Sequence, residues 1–149
     1  LEALPLIASG TQPTPQASAH ATHAAMLDKN DGAIDFTLEP RLVAARIRGV
    51  DPWPGAQAVL RGQPVKLFHA RVSEHVSGGA AGTVVAIDKA GVHVACLGGI
   101  VAISELQAAG RKRLGAHDFA AGRGIAVGDV LTKPNIGPAA PKAPKPSPQ

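Results

Sequence analysis

The spacing of hydrophobic and polar positions changes near residue 56. Before it, Leu38, Leu42, Ala45 and Ile47 recur at roughly helical spacing, with Arg41, Arg46 and Arg48 mainly on other faces. Thr37 is placed to cap this helix. Glu39 and Pro40 follow in the first turn, where an acid meets the helix dipole and the N–H that Pro lacks would have no partner. Gly49 and Pro52 end it. The pattern then predicts short strands over residues 56–60 and 65–72 around Arg61-Gly62-Gln63. Two more, 83–87 and 92–96, form a hairpin around residues 88–91, and a fifth covers 100–106 after Gly98-Gly99. A short helix is predicted over 116–121 and a last extended piece over 125–131. One early helix, a few short strands and Gly-rich turns predict a mainly β fold. The expected form is a small OB-like antiparallel β-barrel, whose closure leaves no free edge.

The flanks read differently. Residues 1–9 look like a helix stopped by Gly10, Pro13 and Pro15. Residues 11–36 have no long apolar period and read as a linker with a helical patch at 21–27. Residues 132–149, rich in Pro and carrying Lys133, Lys142 and Lys145, bury too little apolar surface to offset chain entropy and are expected to be a disordered tail.

A length of 149 residues suits one domain plus tails. Hydrophobic residues make up 45% of the chain but aromatics only 3%, so the core must come from small and branched side chains. No apolar run is long enough to span a membrane. A single cysteine excludes an internal disulfide or a CxxC site, and on its apolar strand Cys96 is expected to be buried. Without an initiator Met or a secretory signal, the expectation is a cytoplasmic chain that begins partway through a longer protein.

The net charge of +4 is unevenly spread. Glu2, Asp28, Asp31, Asp35 and Glu39 gather in the first forty residues, whereas Arg111, Lys112, Arg113 and Arg123 lie near the end. Such a basic half suits an anionic partner, nucleic acid first. Phe36, Phe68, Phe119 and Trp53 are too few to stack successive bases, which favours contact with a structured RNA through backbone and shape. Arg41 and Arg48 project the same way from a helix. Lys66 and Arg71 fall on opposite faces of a regular strand and form no single patch.

No catalytic centre is expected. Asp28, Asp31 and Asp35 read as caps and solvated charges. His20 and His23 share a helical face but lack a third ligand, so no metal is expected, and His69, His75 and His93 read as surface or satisfied histidines. The small residues at 78–82 neither open a helix nor precede Lys-Ser/Thr, so they are a loop rather than a phosphate cradle. Trp53, held between Pro52 and Pro54, is expected to plug the barrel mouth or the helix end.

Several of these segments resemble a known family. Asp51-Pro-Trp-Pro-Gly-Ala56, Arg61-Gly-Gln-Pro-Val-Lys-Leu-Phe68 and Leu106-Gln-Ala-Ala-Gly-Arg-Lys-Arg113 with Asp118-Phe119 resemble the C-terminal domain of the methionyl-tRNA formyltransferases. Pro15-Gln16, Ala21-Thr-His-Ala24, Leu27-Asp-Lys29 and Ile34-Asp-Phe36 are similar to that family's interdomain linker, and Leu4-Pro-Leu-Ile7 to the last helix of its catalytic domain. The resemblance implies that residues 1–10 end the catalytic domain, 11–36 are the linker and 37–131 are an OB-like tRNA-binding domain, with 132–149 a tail that has no family counterpart. It implies a whole enzyme that transfers a formyl group from 10-formyltetrahydrofolate to the amino group of initiator methionyl-tRNA. The catalytic residues would lie in a Rossmann-like N-terminal domain. This segment would hold neither catalytic residue nor cofactor and would position the tRNA, as a monomer and away from membranes. Lys29 matches the linker Lys, and Arg111, Lys112 and Arg113 match the family's basic turn. With Arg41 and Arg48 these are the expected RNA contacts. Cys96-Leu-Gly-Gly99 departs from the family in lacking an acid, as does His23 where Tyr is common. Two alternatives stay open: the second domain of a sugar-nucleotide N-formyltransferase, and a freestanding OB-type RNA-binding module.

Overall fold

The computed structural model describes residues 26–76 and 78–137. The expected helix over 1–9, His20, His23 and residues 138–149 lie outside them. Of the helical patch expected at 21–27, Met26 and Leu27 are described, and neither is helical. The chain forms one turn of 3-10 helix (Lys29–Gly32), then α1 (Pro40–Gly49), β1 (Ala56–Leu60), β2 (Gln63–Val72), β3 (Val84–Asp88), β4 (Gly91–Cys96), β5 (Gly99–Ala108), β6 (Leu114–Gly115), α2 (Ala116–Ala121) and β7 (Leu131–Thr132).

The first turn is capped reciprocally. Asp28 accepts from the N–H groups of Asn30 and Asp31, and the Asp31 carboxylate accepts from the Asp28 N–H. Ala33 then bridges Gln57 of β1, and Ile34 and Phe36 enter the core, so the packed unit starts ahead of residue 37. Thr37 is not the helix cap. Its N–H and hydroxyl both bond Asp35, whose carboxyl they hold below the ordinary range, and the helix starts later, at Pro40 behind Glu39. The buried face shifts accordingly. Pro40, Val43, Ala44 and Ile47 point inward, while Leu38, Leu42 and Ala45 are exposed. The true stripe follows the 3, 4 and 7 spacing from Pro40, whereas Leu38 and Leu42 sit on another face.

The strands form one seven-stranded antiparallel sheet in the order β3-β4-β5-β2-β1-β7, with β6 on β5. Its two ends meet. Thr83, ahead of β3, bridges Val130, ahead of β7, and backbone bonds of 2.8 Å join Val84 to Asp129 and Leu131 to Gly82. A Cβ at Gly82 would strike the Leu131 carbonyl, and φ is +87° there, so only glycine allows this approach. The curled sheet thus matches the expected OB-like barrel, with a core of Val65, Leu67, Val92, Val94, Ile103 and Leu106 among others. Among the described residues no helix is long and apolar enough to cross a membrane.

Hairpin β1–β2 turns on two residues with positive φ, Arg61 at 50° and Gly62 at 79°. The Arg61 guanidinium then grips Asp129 through both carboxylate oxygens, at 3.1 and 2.6 Å. Asp129 also accepts from the Ala126 N–H, which folds residues 126–129 into a turn. Only Leu131–Thr132 therefore extends as a strand, not the whole of 125–131. Trp53 is 55% exposed and does not plug the barrel. Cys96 is buried as expected, and burial pushes its thiol up to about 11.

Strand β2 is not regular. Val65 and Leu67 are buried, then Ala70, so the inward positions change from odd to even across His69, whose φ is +52°. Its partner β5 changes too, from Leu106 to Ile103, while the pairing register stays constant. Phe68 and Glu105 face each other at this switch.

Candidate nucleic-acid interface

β5 ends in a turn of Ala109-Gly110-Arg111-Lys112, closed by the Arg111 N–H to the Ala108 carbonyl at 3.1 Å, and by Gln107 Nε2 to the Arg111 carbonyl at 2.8 Å. Both bonds leave the Arg111 and Lys112 side chains exposed. They border a cleft of about 480 Å³ floored by Phe119, with Asp118 as the acid on its rim. Arg113 behaves differently. Its guanidinium bonds Glu105 and lies 3.9 Å over the Phe68 ring, so its charge is compensated and its position fixed.

Beside this turn runs a polar row across the sheet. The pairs Ala33–Gln57, Gln57–Lys66 and Lys66–Gln107 are consecutive neighbours in the ladder. Ala58, Val65, Leu67 and Leu106 point inward, so Gln57, Lys66 and Gln107 present the outer face. Lys66 and Gln107 line a second cleft, of about 240 Å³, with residues 108–110. At strand spacings of about 4.8 Å the row is about 14 Å long. The turn bearing Lys29 adjoins one end and Arg111 and Lys112 the other. Within the described residues, the Lys and Arg ion pairs are those of Arg46, Arg61, Arg113 and Lys133. Lys29, Lys66, Arg111 and Lys112 enter none of them.

Arg41 and Arg48 stand elsewhere, on α1. Arg48 donates to the Ala70 carbonyl at 2.6 Å. Arg41 follows Pro40, which packs so closely on Gly99 that a Cβ there would lie 2.8 Å from its ring. Gly99 opens β5 and Ala108 closes it, so the length of that strand, about 30 Å at 3.3 Å per residue, separates Arg41 from the basic turn. The six residues expected from the sequence are therefore not one patch. Lys66 and Arg71 are also not on opposite faces. The switch at His69 leaves both exposed, Lys66 on the polar row and Arg71 at a different cleft. The sequence signal for Lys66 is its alternation with buried Val65 and Leu67, opposite Gln107.

A sequence profile of the formyl transferase C-terminal domain matches residues 26–124. The methionyl-tRNA formyltransferase of Geotalea daltonii is 45% identical over 116 residues, covering 78% of this chain and 36% of that protein. That of Sorangium cellulosum is 45% identical over 121 residues, covering 80% and 39% respectively. The chain thus spans well under half the length of these relatives. Among solved structures, HypX from Aquifex aeolicus in complex with tetrahydrofolic acid superposes with a TM-score of 0.62 at 24% identity, over 78% of this chain and 21% of HypX. A HypX variant gives 0.65 at 22% identity. These structures share the fold. With the profile covering the barrel from the 3-10 turn to α2, the chain belongs to the formyl transferase C-terminal domain family.

Proposed function

We propose that this chain is the tRNA-positioning part of a methionyl-tRNA formyltransferase, and that Lys29, Lys66, Arg111 and Lys112 hold the phosphates of the tRNA. The carrying observation is the set of exposed cations that, among the described residues, enter no ion pair, along Gln57–Lys66–Gln107 and into the turn at 110–112. Such cations gain by releasing condensed counterions, and the intervening amides offer hydrogen bonds to sugar and phosphate oxygens. Arg113 serves the same face by shaping the turn. Formyl transfer from 10-formyltetrahydrofolate to the amino group of initiator methionyl-tRNA belongs to the rest of such a protein, whose Rossmann-like domain would bind the folate. This segment lends position. Arg41 and Arg48 fall outside the phosphate row and serve as internal controls.

The test is tRNA binding by fluorescence anisotropy across a KCl series. Replacing Arg111 and Lys112 together by Ala is expected to lower the log–log salt slope by about 1.5, as two lost phosphate contacts should. An unchanged slope overturns the assignment. Binding no tighter than to an unrelated polyanion favours the sugar-nucleotide N-formyltransferase alternative.

A further inference from the structure

Away from the basic row, the segment after β2, the end of β3 and the middle of β4 bring two imidazoles and one carboxylate together. His93 is only 2% exposed, and its Nε2 lies 2.9 Å from Asp88 Oδ1. His75 Nε2 lies 3.4 Å from the other Asp88 oxygen, Oδ2. The two rings meet edge to face with centroids 4.4 Å apart, and the three ligand atoms all lie within 4.8 Å of one another. In a tetrahedral site with bonds of about 2.0–2.1 Å, ligand atoms sit about 3.3 Å apart. Each imidazole already lies near that distance from one oxygen of Asp88, His93 from Oδ1 and His75 from Oδ2, so a shared ion needs the carboxylate to turn toward it and His75, being exposed, to swing in.

We propose that His75, Asp88 and His93 form a binding site for a borderline first-row divalent cation, with Zn²⁺ as the test case, whose remaining coordination position opens into a cleft of about 420 Å³. Two nitrogen ligands and one carboxylate disfavour Ca²⁺ and Mg²⁺, which take oxygen. Behind the ligands stands Ser73. Its hydroxyl lies 2.8 Å from His93 Nδ1 and accepts from the His75 N–H at 3.2 Å. A serine hydroxyl donates or accepts. With Nε2 on the metal, Nδ1–H of His93 donates to Ser73, which fixes the tautomer and the ring, as outer partners of metal-bound histidines do. Asp88 is held in place by the Ala90 N–H, which donates to Oδ1 at 2.7 Å. Glu74 and Arg71 on the rim carry opposite charges, so the charge seen by a cation is mainly that of Asp88.

The experiment uses the full chain with His20→Ala and His23→Ala, which removes the other paired imidazoles. Zn²⁺ is titrated in competition with a chromophoric chelator, and Co²⁺ by its visible absorption. One equivalent of Zn²⁺ is expected to bind, Co²⁺ to give the intense bands of a four-coordinate ion, and Zn²⁺ to raise the melting temperature. His75→Ala changes an exposed side chain, so the protein still folds. It should weaken Zn²⁺ on the order of tenfold or more, bleach the Co²⁺ bands and abolish the thermal shift. Ser73→Ala should weaken binding by about tenfold while the bands persist. Absence of Zn²⁺ binding, or equal affinity with and without His75, overturns the site and leaves a hydrogen-bond network that ties β3 to β4.

Discussion

The basic row and the histidine cleft share β2 and β5 on either side of the switch at His69, yet they are built in opposite ways. On the row, Lys66, Arg111 and Lys112 are exposed and, among the described residues, enter no ion pair. In the cleft, the groups at its centre are answered by one another: Ser73 by His93, His93 by Asp88, Asp88 by His75. A polyanion wants charges spread along a surface and needs no strict geometry, because its binding is driven largely by counterion release. A single ion wants a few atoms at set distances, held before it arrives. Arg113 shows the boundary. It lies next to the row but is built like the cleft, answered by Glu105 and seated on Phe68.

The strongest way to break this arrangement is at the switch itself. Ile103 pairs with Ala70 of β2 and Val92 of β4 and is fully buried. Ile103→Ala is expected to cost about 2–5 kcal/mol in urea unfolding, and to weaken tRNA and Zn²⁺ binding together as the folded population falls. A loss confined to one of them would mean that the two regions are independently held.

Asp129→Asn should separate stability from both regions, since Asp129 acts on the barrel closure. The Arg61 guanidinium beside Asp129 holds its carboxyl below the usual range. A depressed carboxyl stabilises the fold fully above its unfolded value, about pH 4, and that contribution drains as pH falls through the lower folded value. The variant should therefore melt below the parent at pH 7, and the gap should close as the solution is acidified through the carboxylate range. Salt slopes and Zn²⁺ affinity should stay put. A gap that widens in acid would contradict the role of the pair.

Glu105→Gln turns a clamped cation into a free one. The salt slope for tRNA should rise by about 0.7 to 0.9, one phosphate contact, as Arg113 joins the row. Unfolding should cost less than about 1 kcal/mol, since the pair is partly exposed. A falling slope would mean that Arg113 already binds phosphate while clamped. The smallest effect belongs to Arg41→Ala, which should leave the slope unchanged. A drop equal to that of Lys66→Ala would carry the tRNA path over α1.

Much of the fold is legible in the chain. Alternation over 56–60 and 65–72, the Asp88–Gly91 turn and the short helix over 116–121 are local patterns, and the structure has them at or near those places. The differences have separate causes. Thr37 has a nearer partner in Asp35, two residues away, the buried face of α1 starts from Pro40 rather than Leu38, and residues 126–129 are folded into a turn around Asp129, which Arg61 of the β1–β2 turn holds from far along the chain. Of the proposed phosphate contacts, the triplet at 111–113 stands out in sequence because its charges are adjacent. Lys66 does not, because its partners Gln57 and Gln107 are distant in the chain.

The sequence alone determined a mainly β barrel with an early helix, its family, a basic turn at 111–113 and a buried Cys96, because each rests on neighbouring residues or on their periodicity. Only the tertiary structure decided which cations are free and which are clamped, where β2 changes face, and that His75, Asp88 and His93 meet. Those depend on register and curl. Both are set by the packing of the whole core, and residues far apart in the chain learn their distance only when the sheet closes.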